Sequence, residues 1–170
     1  MLFSDERLRR MYSGGRADRT AIRFARLWSR VFALGLQRRW VTLEVRGRRT
    51  GEPTRFPLGM ADLDGQWFLV SMLGERCNWV RNVRAAGGRA VLVHGRRRPV
   101  LLEEVPPSQR PRILRRYLQA VPGARPHLPV APDAQLADFA LVAEQYPVFR
   151  VVPDREPVDP PADPPASPGA

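Results

Sequence analysis

Hydrophobic positions along the chain follow two rhythms. Between residues 17 and 38 the period is helical. Ile22, Ala25, Trp28, Phe32 and Leu36 recur three or four apart, while Arg19, Arg23, Arg26 and Arg30 take the other side. This spacing predicts an amphipathic helix whose last turn is weakened by Gly35. Residues 1–16, broken at Ser13-Gly14-Gly15, predict a loose lead-in. From Val41 onward the period drops to two. Val41, Leu43 and Val45 alternate with Thr42, Glu44 and Arg46, which predicts a half-buried strand. A second strand is expected over about 54–62, a hairpin turn at Asp64-Gly65, and a third strand from Gln66 to Ser71.

The second half continues in short pieces. A helix is expected at 77–86, stopped by Gly87-Gly88. Strands at 89–94 and 98–105 flank a tight turn at Gly95-Arg96-Arg97. Pro106-Pro107-Ser108 opens a helix over about 108–120, and a proline-rich loop spans 122–132. Residues 133–144 read as helical, and Val148 to Val152 as a last strand. Short strands joined by tight turns, without the rhythm of a parallel sheet, point to a mainly β, α+β architecture. Its centre is an antiparallel barrel with helices packed outside. Residues 17–152 form the one expected domain. Seven of the eighteen residues from 153 to 170 are proline and most charges there are acidic, so this stretch is expected to be a disordered tail.

Charge narrows the range of partners. The chain of 170 residues carries +11 at neutral pH, and all 28 basic residues are arginine. The absence of lysine excludes Schiff-base catalysis by a lysine side chain. The tail contributes −3, so the remaining body carries +14. Planar, permanently charged guanidinium forks suit phosphate and carboxylate, so an acidic partner is expected. Cys77 is the sole cysteine, which rules out an intrachain disulfide and a cysteine-based zinc site. His94 and His127 lie far apart, so no metal centre is expected. No apolar run is long enough to span a bilayer, and the expected location is cytoplasmic.

The residues with the most chemical content form Gly47-Arg48-Arg49-Thr50-Gly51, a turn between two strands. Glycine at each end permits positive φ and close approach of a ligand to the main chain. Consecutive N–H groups can form an anion-binding nest, Arg48 and Arg49 add charge, and Thr50 adds a hydroxyl donor. Arg55 follows on the next strand. Read alone, an exposed basic hairpin is an equal alternative. Ser71 closes the third strand and opens Met72-Leu73-Gly74, where free N–H groups could meet a cofactor ring. Trp79 and Asn82, three apart, share one helix face. The run Arg96-Arg97-Arg98 reads as a solvated hairpin tip, with no aromatic interleaving that would suggest nucleic acid. Tyr117 reads either as packing on the barrel or as a pocket residue. His127 reads either as lining a pocket or as exposed.

Taken in order, these segments resemble the deazaflavin-dependent nitroreductase family of flavin- and deazaflavin-binding split β-barrels. The marks are Thr42 to Gly51, Pro53, Pro57-Leu58, Val70-Ser71, Trp79-Val80-Arg81-Asn82-Val83, and Val148 to Pro153. The resemblance implies an FMN-binding-like antiparallel split barrel that uses coenzyme F-420, an 8-hydroxy-5-deazaflavin. It implies that Arg48, Arg49, Thr50 and Gly51 hold the phosphate and acidic tail, with Arg55 as a further contact. Pro57 and Leu58 would border the ring, Ser71, Met72 and Gly74 would meet its edge, and Trp79 and Asn82 would close the site. Two departures stand out. Thr54 occupies the place usual for an arginine, which moves Arg55 to the other face of its strand. Leu73 replaces the first of two glycines in the loop after Ser71.

The implied reaction is hydride transfer to a small electron-poor acceptor: a quinone, a nitroaromatic or an activated alkene. Ser71, Tyr117 and His127 are the candidate acids for product protonation, with water as an equal alternative. Two alternatives remain beside this reading, an FMN-dependent split-barrel reductase and a non-catalytic coenzyme carrier. No specific nucleic-acid contact is expected. The helix at 17–38 also suits peripheral contact with an anionic inner membrane face, and the assembly is expected to be a monomer or a homodimer.

Overall fold

The computed structural model describes residues 39–154. The expected lead-in at 1–16, the amphipathic helix at 17–38 with its membrane contact, and residues 155–170 of the expected 153–170 tail lie outside the described residues. Pro153 is a strand residue paired with Val100. Six strands dominate the remainder: β1 (Trp40–Arg46), β2 (Pro53–Leu63), β3 (Gln66–Val70), β4 (Arg89–His94), β5 (Arg96–Glu104) and β6 (Val148–Pro153). Three helices join them: α1 (Asn78–Ala85), α2 (Arg110–Ala120) and α3 (Leu136–Val142). Short 3-10 turns occur at Pro107–Gln109, Pro122–His127 and Ala143–Gln145. The strands close into a barrel in the order β1-β2-β3-β6-β5-β4, and every pairing is antiparallel. This is the split-barrel plan that the resemblance implied.

Strand alternation sorts the side chains into two cores. Val41, Leu43, Val45, Met60, Leu69, Leu92, Val100, Leu102 and Phe149 fill the barrel interior. Helix α1 adds Trp79, Val80 and Val83 to that core. The opposite faces of β2 and β3 present Ala61, Phe68 and Val70 to a second core built with α2 and α3 through Leu114, Leu118 and Phe139. Gly59 on β2 is required for this packing. A Cβ there would lie 2.9 Å from both γ carbons of Val121, the residue that ends α2.

Two details differ from the expectations above. The β4–β5 turn is tighter than three residues. His94 pairs with Arg96 around Gly95, which has φ of 70°. Arg97 is therefore a strand residue, and its guanidinium chelates Glu44 at 2.5 and 3.0 Å. Arg97 stays exposed, as the solvated-tip reading expects, but its guanidinium is also paired with a buried carboxylate. The proline-rich loop also contains a 3-10 turn, since the φ values of Pro122 and Pro126 suit helical geometry.

Glu44 is the most buried acid among the described residues, at 8% exposure. Besides the Arg97 fork it accepts the Nε of Arg55 at 2.8 Å. The Arg97 hydrogen bonds, against the opposing effect of burial, hold its carboxyl below the ordinary glutamate range. A lowered folded-state pKa means that the stabilisation is present above the ordinary value and is lost as pH falls through the folded one. Glu44→Gln is expected to cost about 1–3 kcal/mol at neutral pH. The two proteins should converge in stability in acid, as followed by denaturant unfolding across pH. At the β2–α2 packing, Gly59→Ala should cost about 1–3 kcal/mol by overpacking. Adding Val121→Ala should recover part of that loss in the same measurement, whereas strict additivity would place the strain elsewhere.

Candidate functional site

The Gly47–Gly51 turn is closed on itself. Gly47 N–H donates to Glu52 O at 2.8 Å, Gly51 N–H donates to Gly47 O at 2.8 Å, and Arg46 folds its Nε back onto Gly51 O at 3.0 Å. Gly51 has φ of 74°, a conformation that glycine adopts without strain. Thr50 Oγ1 accepts the N–H of Glu52 at 3.3 Å, which leaves the hydroxyl proton to donate outward. Among the described residues, neither the N–H groups of Arg49 and Thr50 nor the Arg49 guanidinium has a hydrogen-bond acceptor. The turn therefore presents donors and positive charge, with exposed Glu52 at its edge.

The fold brings this turn onto α1. Arg48 Nη1 donates to Asn82 Oδ1 at 2.9 Å, and the Arg48 N–H approaches the same oxygen at 3.4 Å. Its η nitrogens also reach Asn78 Oδ1 at 3.4 and 3.5 Å. Thus two motif segments, 34 residues apart, meet at hydrogen-bond distance. Asn82 is buried at 5% exposure, so its amide is held fixed. Asn78 carries no sequence signal of its own and becomes visible only because it lies one helical turn before Asn82.

Arg55 lies on the outer face of β2, opposite Glu44, and is committed to that carboxylate. The strand period of two directs it to Glu44, while the expected phosphate position would face the Gly47 side. Thr54 pairs with Val45 instead and lies beside Gly47. Leu58 packs inward against the barrel core, while Pro57 pairs with Thr42 on the other face. Trp79, expected to close the site, is only 3% exposed and meets Phe149 edge-on, with ring centroids 5.3 Å apart. Its indole anchors α1 in the barrel.

A second group of residues surrounds a cleft of about 300 Å³ lined by Met72, Leu73, Gly74, His127, Gln145 and Tyr146. One wall is the loop after β3. Ser71 N–H donates to Pro147 O at 2.9 Å, Ser71 Oγ donates to Gly74 O at 2.8 Å, and Gly74 N–H returns to Ser71 O at 3.0 Å. Gly74 has φ of 77°, and a Cβ there would lie 3.1 Å from Gln145 O. The N–H groups of Met72 and Leu73 have no internal acceptor among the described residues. Opposite them, the Tyr146 hydroxyl donates to His127 O at 3.0 Å, which ties the histidine's 3-10 turn to the wall before β6. Gln145 and Tyr146 carry no sequence signal, because β6 brings them to the cleft from the far end of the chain.

The three candidate acids are separated by burial. Ser71 is 1% exposed, and its proton is given to Gly74. Tyr117 is 3% exposed in the helical core, and desolvation pushes its phenol well above its ordinary value. Neither placement suits proton delivery to a ligand in the cleft. His127 is the candidate that lines it. Half-buried Cys77 sits at the start of α1, where burial pushes its thiol up. Among the described residues no cluster of side chains could hold a metal ion, and no helix is long and apolar enough to cross a membrane.

No curated protein matches the chain. Among solved structures, an F420-H2 dependent reductase (FDR-A) is 19% identical over 69% of this chain and 96% of that one, with a TM-score of 0.47. A conserved hypothetical protein from Mycobacterium tuberculosis is 19% identical over 77% and 80%, with a TM-score of 0.49. An FAD-binding protein from Mesorhizobium loti is 18% identical over 76% and 89%, with a TM-score of 0.45. Residues 21–127 match the family described as F420H(2)-dependent quinone reductase. That match spans more than half of the sequence, and the chain belongs to the F420H(2)-dependent quinone reductase family.

Proposed function

We propose that the protein binds reduced coenzyme F-420 between the Gly47–Gly51 turn and the loop after β3, and reduces a flat, electron-poor acceptor of the quinone class in the adjoining cleft. Family membership makes it a deazaflavin-dependent oxidoreductase. The observation that carries the site assignment is the Arg48–Asn82 hydrogen bond, which joins the basic turn to α1.

The donor set fits the coenzyme. Its phosphate and glutamyl tail are anionic, and the turn offers the Arg48 and Arg49 guanidinium groups, the Thr50 hydroxyl and two N–H groups without internal acceptors. Such charge-assisted hydrogen bonds are about twice as strong as neutral ones. The chemistry supplied by the bound coenzyme is hydride donation from C5 of its deazaflavin. The chain's part is placement and electrostatics. The N–H groups of Met72 and Leu73 are the donors suited to a ring edge that gains negative charge. Met72, Leu73 and the Tyr146 ring supply apolar contacts suited to a planar acceptor in a mixed lining, and Gln145 adds a polar group. His127 lines the cleft, and an imidazole at that wall can act as the general acid toward the reduced acceptor. A nitroaromatic has the same planarity and electron demand, and competes with the quinone as the natural acceptor.

Arg48→Ala and Arg49→Ala should each weaken coenzyme binding by about 1–3 kcal/mol for every charge-assisted hydrogen bond they remove. Fluorescence titration with the deazaflavin reads this directly, and unchanged affinity in both variants would remove the turn from the site. A yellow purified protein that binds FMN and ignores the deazaflavin would favour the FMN reading. Tight deazaflavin binding without turnover on quinones or nitro compounds would indicate a carrier. His127→Gln is expected to lower kcat with menadione by about tenfold or more at unchanged coenzyme affinity. An undiminished kcat would assign the proton to water.

A further inference from the structure

Beside the direct Ser71 N–H to Pro147 O bond at 2.9 Å, a chain of charges links the two walls of the cleft. On the first wall, Glu75 follows Gly74 in the loop after β3. Its carboxylate receives Arg84 Nη1 at 2.6 Å and Nη2 at 3.2 Å. Arg84 lies at the end of α1 and turns its remaining donors to Glu104. Nε meets Oε2 at 2.8 Å, and Nη2 meets Oε1 at 2.6 Å. Glu104 Oε1 also receives Arg110 Nη2 at 3.2 Å. Arg110, 4% exposed at the start of α2, then grips the second wall. Its Nη1 donates to Ala143 O at 3.0 Å and to Tyr146 O at 3.4 Å, while Nε donates to Val105 O at 2.8 Å. The signs alternate along Glu75, Arg84, Glu104 and Arg110, so every neighbouring pair attracts. The Arg84 hydrogen bonds hold the Glu75 carboxyl below its ordinary range, so the link stays charged at neutral pH.

The geometry points to Arg84 as a positioning residue that sets the spacing between the loop after β3 and the 143–147 segment, and through it the grip of the cleft on coenzyme ring and acceptor. This inference rests on the cleft assignment made above. The walls already touch where the bare Cα of Gly74 faces Gln145 O, so small shifts of either one change the opening. Arg84 is 39% exposed at its side chain and lies outside both hydrophobic cores. Exposed ion pairs add little to global stability. Its removal should therefore loosen the two walls locally and spare the barrel. The planar fork matters, because a lysine point charge cannot engage both carboxylates in this way.

The experiment compares wild type, Arg84→Gln, Arg84→Lys and the milder Glu75→Gln, each alone and with saturating oxidised coenzyme F-420. Hydrogen exchange should quicken together in residues 72–77 and 143–146 of Arg84→Gln by about tenfold, with β1 and β2 unchanged. Coenzyme Kd by fluorescence and KM for menadione should rise by about threefold or more, with kcat within about twofold. Arg84→Lys should recover part of this loss, and Glu75→Gln should show the same direction with smaller size. Faster exchange on the Glu75 wall alone, or on neither wall, overturns the proposal. So does loosening of both walls with Kd and KM unmoved, because the residue is then only structural. The cleft assignment has its own readout, coenzyme protection of residues 72–74 in wild type, so its failure is told apart from failure of the Arg84 link.

Discussion

The rest of the structure depends on β1 being hydrogen-bonded along both edges. It pairs with β2 from Trp40↔Gly59 to Arg46↔Pro53, and with β4 from Thr42↔Val93 to Glu44↔Val91. This double pairing closes the barrel and removes the exposed edge that an open sheet would carry. It also decides what each β1 residue faces. Val41, Leu43 and Val45 enter the interior, while Glu44 is left on the outside between an arginine of β2 and one of β5. The end of β1 then delivers the glycine-bounded turn to α1, whose position is fixed by Trp79, Val80 and Val83 in the same interior. Barrel closure and the meeting of the turn with α1 are thus one event.

An arginine-only surface acquires its meaning from which guanidinium groups are already paired. Arg55 and Arg97 neutralise Glu44, Arg39 and Arg116 share Asp62, Arg150 pairs with Glu103, and Arg84 and Arg110 share Glu104. Arg76, Arg81, Arg96, Arg98 and Arg115 meet no carboxylate among the described residues, but the turn joins such charge to N–H groups without internal acceptors. Arg48 meets only neutral amide oxygens, and Arg49 has no acceptor among the described residues. Positive charge is left uncompensated where donors converge, which is the condition for binding a polyanion. The paired charges have a positional role as well. The chain from Glu75 to Arg110 runs from one cleft wall to the other through groups that each lie on a different element.

Much of this was legible in the sequence. The strands followed from alternation at Val41, Leu43 and Val45, and the turns from Asp64-Gly65 and Gly95, because side-chain period and positive φ are local properties. The family followed from the order of the turn, Ser71 and the Trp79–Asn82 segment. The one-residue offset of Arg55 from the usual arginine already implied the opposite face, and Glu44 supplies the reason it stays there. Trp79 was harder, since its spacing favours core packing while the resemblance places it at the cofactor. Burial against Phe149 decides for the core.

The sequence by itself determined the strand and helix pattern, the excess of permanently charged forks, the anion-suited turn and the family, because each is written in residue types at fixed spacing. Only the tertiary structure decided which distant residues meet. It joined Arg48 to Asn82, brought His127 and Tyr146 to the loop of Met72 and Gly74, and placed Ser71 and Tyr117 beneath the surface. These meetings depend on strand register and helix docking across the barrel, and long-range pairing of that kind leaves no local periodicity to read.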